Sequence, residues 1–203
     1  MINKINEPNI VKVTTSIIRE ISNDKAALAA LRHSNSILSN QATKIWPLIF
    51  SKLDYEKNNE YADLMRKPTY QEIAIFTSLR CYAIFVQGND EAKSEFLNSE
   101  KKESFFRTLS QLRKDDRIKG GLDRRVKNTL SSTNTDAVIH SLISLIQILK
   151  ANNRSANVNY PDLALDLNRF QFSFDAARQV AIKWGRQYFW LDEKTLNNTN
   201  KEN

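Results

Sequence analysis

The sequence predicts an all-α protein built as two small helical bundles, and three observations carry that prediction. Gly and Pro number only four each in 203 residues, too few turns for a many-stranded sandwich or barrel. Apolar residues recur every three or four positions through most of the chain, the period of a helix with one buried side. Hydrophobic residues make up 41%, ordinary for a folded soluble protein, and this length can bury a sizeable core.

The elements follow in order. Ile10, Val13, Ile17, Ile18 and Ile21 form a first stripe. Asn23 or Asp24 is placed to cap a second, Ala-rich helix through "KAALAALRHS", with Leu28 and Leu31 inward. "KIWPLIFSKL" is a short helical stretch in which Pro47 fits a first turn or a kink. "DYEKNNEYADLMRK" is polar and reads as partly loop. In "TYQEIAIFTSLRCYAIFVQG", Thr69 and Glu72 form a capping box after Pro68, and Gly88 ends the helix. Its apolar residues run most of the way round, the mark of a central helix.

"GNDEAKSEFLNSEKKES" reads as a polar connection, followed by a helix with Phe105, Phe106, Leu109 and Leu112 on one face. The glycine pair in "DDRIKGG" is expected to break the helical pattern. The boundary between a bundle of residues 1–119 and one of residues 120–203 is placed there. Asp123 is the expected cap of the next helix, with Leu122, Val126 and Leu130 inward. "SSTNTD" is a loop rich in capping residues before the apolar helix "AVIHSLISLIQILK". Pro161 opens a helix with Leu163, Leu167 and Phe170 inward. Ser173 caps the last helix, whose buried stripe is Ala177, Val180, Ala181, Trp184, Tyr188 and Leu191. The tail "LNNTNKEN" reads as frayed.

Net charge is +7, and it is unevenly spread. Residues 1–97 carry 12 basic and 11 acidic side chains, whereas residues 98–127 carry 10 and 5. A local positive field is the footprint of a polyanion partner; scattered charge mostly serves solubility. The start lacks the apolar stretch and cleavage site of a secretory signal. The uncharged run Ala137 to Leu149 is too short to span a bilayer, which takes about 20 residues. One cysteine, Cys81, makes no internal disulfide, so a cytoplasmic location fits and no membrane anchor is expected.

Catalytic chemistry is not found. His33 and His140 stand far apart without Cys or His at ligand spacing, and His140 reads as a core or interface side chain. Asp115 and Asp116 are adjacent, and adjacent residues on regular structure point apart. No phosphate-loop, dinucleotide or hydrolase-elbow motif occurs. The expectation is a protein that is not an enzyme and uses no cofactor or metal.

What remains is a basic surface on rigid helices. Arg107, Arg124 and Arg125 suit phosphate contacts, because a guanidinium forms two parallel hydrogen bonds and stays charged. Such contacts hold a backbone without reading its sequence. Lys127 joins them by helical spacing from Arg124, and Gln179, Lys183 and Arg186 share one face of the last helix. The competing reading for each cation is a salt bridge within the protein or to a partner. Trp184, Tyr188 and Phe189 have core spacing, with base stacking as the alternative. Trp190 follows the stripe as a candidate interface anchor.

The ordered motifs resemble the CasB family, the small subunit of the type I-E CRISPR surveillance complex Cascade. "ALAALRHS" is similar to the family's A-x-LR segment, "TSLRCYAIFVQG" to its T-x-L-x-x-YA-x-x-x-QG helix, and "SFFRTLSQL" to its S-L-G-R-A-L stretch. "LDRRVKNTLSSTNTDAVIHSLISLIQIL" parallels the RR pair, loop and long apolar helix. "VNYPDLALDLNRF" and "ARQVAIKWGRQYFW" match the closing D-W-x-x-L-x-x-D-L-x-x-W and W-A-R-x-F-Y patterns. Phe106 replaces the glycine of S-L-G-R-A-L, and "IHSLI" lacks the arginine of the family's H-L-R.

The resemblance implies a non-catalytic, all-helical subunit present in two copies within an RNA-guided complex. It implies contacts with the large subunit, the repeated backbone subunits and a second copy of itself, and a role in holding the displaced DNA strand when guide RNA pairs with its target. By motif position, Arg32, Arg107, Arg124, Arg125 and Arg186 are the implied nucleic-acid-binding residues, and Lys127 and Lys183 join them from helical spacing alone. The rival readings are a free-standing helical DNA-binding regulator, which would prefer one duplex sequence, and a small nuclease, which would need clustered carboxylates or histidines.

Overall fold

The computed structural model describes residues 7–53 and 67–190. The polar stretch within 54–66, Leu191 and the C-terminal tail lie outside the described residues. Ten α-helices are seen among the described residues: α1 (Glu7–Ile21), α2 (Lys25–His33), α3 (Trp46–Phe50), α4 (Tyr70–Phe85), α5 (Asp90–Asn98), α6 (Phe105–Gln111), α7 (Asp116–Ser131), α8 (Thr135–Asn152), α9 (Tyr160–Phe170) and α10 (Phe174–Phe189). The fold is all-α.

The central position belongs to α4, as its all-round apolar pattern implies. Twelve of its sixteen residues are buried, and it packs against α1, α2, α8 and α9. Both halves of its capping box form: Thr69 N–H donates to Glu72 Oε2 at 2.7 Å, and Glu72 N–H donates to Thr69 Oγ1 at 3.2 Å. Gly88, with φ of 65°, turns the chain after the helix, a conformation that a Cβ disfavours. The α1 stripe is wholly buried, and Asp24 caps α2 by accepting from Ala26 and Ala27 N–H. Asn134 caps α8 and Ser173 caps α10 in the same way.

Two expectations are corrected. The segment after Gly88 is not merely a connection, because residues 90–98 form α5. Asn89 accepts from Ala92 N–H at 3.3 Å, Asp90 and Glu91 complement the helix N-terminus, and Phe96 is buried against Tyr82 and Tyr160. The glycine pair, secondly, does not break a helix. Asp115, not Asp123, is the N-cap, and α7 runs unbroken through Gly120 and Gly121. Each helical glycine costs about 1 kcal/mol relative to alanine; burial of Leu122 and Val126 outweighs that cost.

Packing crosses Gly120 in both directions. Helix α9 lies on α4 and α1, and α6 lies on α10. Ser78 Oγ donates to Tyr160 O at 2.6 Å, tying α4 to the start of α9. The backbones of Glu103 and Asn157 to Asn159 pair through bonds of 2.9 and 2.7 Å. Of the other expected inward residues, Leu163, Leu167, Phe170, Val180 and Tyr188 are buried, whereas Leu130 is half-buried and packs against the core.

A Cβ added at Gly120 meets nothing within 4 Å, and its backbone is helical. Gly120→Ala is therefore expected to stabilise the protein by about 1 kcal/mol, raising the Tm by roughly 2–4 °C. A thermal melt checks this, and a lower Tm would mean that α7 is not helical at that position.

Candidate nucleic-acid interface

Helix α10 packs against both α6 and α7, and these three helices carry six of the seven cations singled out in the sequence. Their junction is an Arg113–Asp123–Tyr188 network. Arg113 Nε donates to Asp123 Oδ1 at 2.9 Å, and Tyr188 Oη donates to the same oxygen at 2.7 Å. The Arg113 guanidinium also lies over the Tyr188 and Phe189 rings, each centroid 5.3 Å away. One acidic side chain thus ties the turn after α6, helix α7 and helix α10 together. Asp123 does not cap a helix, as the sequence suggested; it locks three elements in register.

The network leaves a pH signature. Partial burial pushes Asp123 upward, but hydrogen bonds from Arg113 and Tyr188 outweigh it and hold the carboxyl below its ordinary value of 3.8. Burial, reinforced by Asp123, raises Tyr188 well above its ordinary 10.0. A lowered carboxyl stabilises the fold above its unfolded value, and that gain is lost as pH falls through the folded one. A raised phenol does the opposite: its gain is complete below its unfolded value and is lost as pH rises through the folded one. Thermal melts across pH should lose an acid limb in Asp123→Asn and an alkaline limb in Tyr188→Phe. Unchanged pH profiles in both variants would mean that the network is not formed.

Around this junction the arginines face outward. Arg124 and Arg186 are exposed, and neither guanidinium makes a hydrogen bond or ion pair with a described residue. Exposed Arg125 makes one long contact, 3.5 Å to Gly121 O, within its own helix. Lys127, one turn beyond Asp123, is exposed and helps lower that carboxyl. Arg107 is half-buried and donates to Trp190 O at 3.0 Å, while Trp190 N–H donates to Arg186 O. Trp190 is 66% exposed, and its backbone is held between Arg107 and the Arg186 carbonyl. Asp115 pairs with Arg117 at 2.7 Å, a contact on the same helix, and that pairing lowers the carboxyl.

Lys183, on another side of α10, and Arg32, on α2, are engaged within the protein. Lys183 sits between Asp166, 2.7 Å away, and Asp162, 3.3 Å away. Against the effect of burial, the two carboxylates raise it above the ordinary lysine range. Asp166 is almost fully buried; burial raises it despite hydrogen bonds from Lys183 and the Trp184 indole N–H. Lys183 thus ties α10 to α9 and does not share a free face with Arg186. Arg32 donates to Ala83 O at 3.4 Å, at the end of α4.

The aromatic candidates separate cleanly. Trp184 and Tyr188 are buried, and Trp184 is stacked between Phe106, at 4.8 Å, and Phe170, at 6.0 Å. Phe106, which stands where a glycine is usual in the resembled motif, fills space against the indole. Cys81 is buried and pushed up to about 12 by that burial, which makes the thiol inert. His140 is exposed on α8 with Nδ1 2.8 Å from Asp136 O, and so is not a core side chain. Among the described residues no group of three His, Cys, Asp or Glu side chains could hold a metal ion, and no helix is long and apolar enough to cross a membrane.

Sequence reading missed Lys150 and Arg154. Both stand more than a hundred positions from Arg32 in the chain, yet the Lys150 ammonium feels the charges of Arg154 and Arg32, a proximity that no sequence spacing reveals.

Comparison with known proteins bears on the fold and the family. The crystal structure of CasB from Thermobifida fusca superposes with a TM-score of 0.60 at 20% identity, covering 89% of this chain and 97% of that one; the likeness is one of fold. No curated protein sequence matches. The family model of CRISPR-associated protein Cse2 matches residues 27–189, a span that runs from within α2 to the end of α10. The chain therefore belongs to the CRISPR-associated Cse2 family.

Proposed function

We propose that this protein is the small subunit of a type I-E CRISPR Cascade complex and that it holds the displaced DNA strand by a sequence-independent basic surface. The observation that carries the reading is the pair of exposed guanidinium groups, Arg124 and Arg186, without partners among the described residues, on helices locked together by Asp123. Arg125, Lys127 and Arg107 flank them. Rigid helices lower the cost of ordering these side chains, and charge without base-reading geometry gives sequence-tolerant binding. Exchange of a DNA duplex for an RNA–DNA hybrid is nearly balanced, so modest contacts to the displaced strand tip it toward opening. The function needs no catalytic step. Lys183 serves to set α10 against α9.

The partners follow from the same reading: a guide-RNA complex, its large and backbone subunits, and a second copy of this chain. Tagging the chain and recovering it at low salt from its own cell tests this. Recovery with a uniform short RNA and several other protein species, at two copies per complex, is expected. Recovery alone, or tight binding to one duplex sequence, would move the free-standing regulator to first place.

A further inference from the structure

A second cationic cluster lies away from the α6–α7–α10 face, at the C-terminal end of α4. Arg32 from α2 donates to Ala83 O. Lys150 from α8 donates to Gln87 Oε1 at 3.3 Å. Arg154, just past α8, donates to Gly88 O, and its own carbonyl accepts from Asn89 Nδ2 at 2.6 Å. All three side chains end on neutral oxygens; none pairs with a carboxylate among the described residues. Lys150 and Arg154 line an open cleft together with Gln87 and Gln147.

Three cations at one helix end need an explanation. The C-terminus of a helix carries only about −0.5 of an elementary charge, so it leaves most of three positive charges uncompensated. The mutual cost is visible in Lys150, whose ammonium is lowered first by burial and then by the charges of Arg154 and Arg32. Capping α4 calls for one cation. The other two, held in place by hydrogen bonds and facing a cleft with amide donors, await an anion.

We propose that Arg32, Lys150 and Arg154 form a second phosphate-binding station, which takes the backbone of the same single strand held by the α7–α10 face. The inference rests on the nucleic-acid reading given above and extends it: the strand has two separate footholds on one chain. A strand backbone fits better than a single small anion, since the three cations come from three different segments of the chain.

The test uses the full-length chain and a fluorescein-labelled oligothymidylate, with affinity measured across salt. Lys150→Gln combined with Arg154→Gln removes two phosphate contacts. The slope of log affinity against log salt should then flatten by about 1.4, with affinity near 50 mM salt falling by roughly tenfold. Lys150→Arg combined with Arg154→Lys keeps the charge and should bind as the natural chain does, which separates lost charge from a damaged fold. An unchanged slope in the glutamine variant overturns the proposal. Arg124→Ala, Arg125→Ala and Arg186→Ala together provide the comparison. A flattened slope in this triple variant alone rejects the second station and leaves the α7–α10 reading standing. Flattening in the glutamine variant alone does the reverse. No salt-dependent binding by the natural chain overturns both.

Discussion

Joint replacement of Arg124, Arg125 and Arg186 by alanine is expected to lower affinity for single-stranded DNA by roughly a hundredfold near 50 mM salt, and to flatten the salt slope by about two units. The size follows from counting. Each phosphate contact on a single strand contributes about 0.7 to the slope, and these three arginines do little inside the protein. Arg124 and Arg186 have no partner among the described residues, and Arg125 has only a 3.5 Å contact within its own helix. Their removal should therefore move stability by no more than about 0.5 kcal/mol, so lost affinity can be assigned to lost charge. Filter binding or anisotropy across salt, with a thermal melt beside it, checks both parts. An unchanged slope would show that the strand does not cross this face.

Trp184→Ala is expected to destabilise the fold by about 3–5 kcal/mol, the range for truncating a fully buried aromatic residue. Trp184 is the middle ring of the Phe106–Trp184–Phe170 stack, so three helices lose their shared contact at once. Its indole N–H also donates to Asp166 Oδ2 at 2.8 Å. Asp166 is almost wholly buried, and losing that donor leaves a carboxylate oxygen unpaired in a poorly solvated place. Total stability of a domain this size is about 5–15 kcal/mol, so much of the margin disappears. Trp184→Phe keeps a stacked ring but not the donor and should fall between. Denaturant melts measure all three proteins; a loss under about 1 kcal/mol for the alanine variant would contradict the packing described.

Most of the fold was legible because its signals are local. The α1 stripe, the Thr69–Glu72 box, the Asp24, Asn134 and Ser173 caps and the burial of Trp184 and Tyr188 each depend on residues within a few positions of one another. What was not legible depends on tertiary contact. Gly120 and Gly121 looked like a break because local propensity opposes a helix there, yet packing of Leu122 and Val126 and the cap at Asp115 decide the matter. Helix α5 was hidden by its charge; only Ala92 and Phe96 face inward, and Phe96 meets rings from α4 and α9. His140 is not in the core because α8, for all its apolar length, keeps one face open.

The candidate interface divides in the same way. The crowding of charge over residues 98–127 pointed to α7 directly. Lys183 was grouped with Arg186 by helical spacing, but its carboxylate partners lie 17 and 21 positions away in the chain and only the fold brings them together. Asp123 was read as a cap because it precedes a helical pattern, although Arg113 and Tyr188, brought in by two other elements, claim its oxygens.

The most direct test of the central claim is made in the assembled complex. Complexes carrying either the natural chain or the Arg124→Ala, Arg125→Ala, Arg186→Ala variant would be matched for subunit content, and permanganate reactivity of thymines in the displaced strand of a target duplex would be followed over time. The expected result is equal assembly with slower and less complete strand opening in the variant. Equal assembly with identical opening would contradict the claim that this basic face holds the displaced strand.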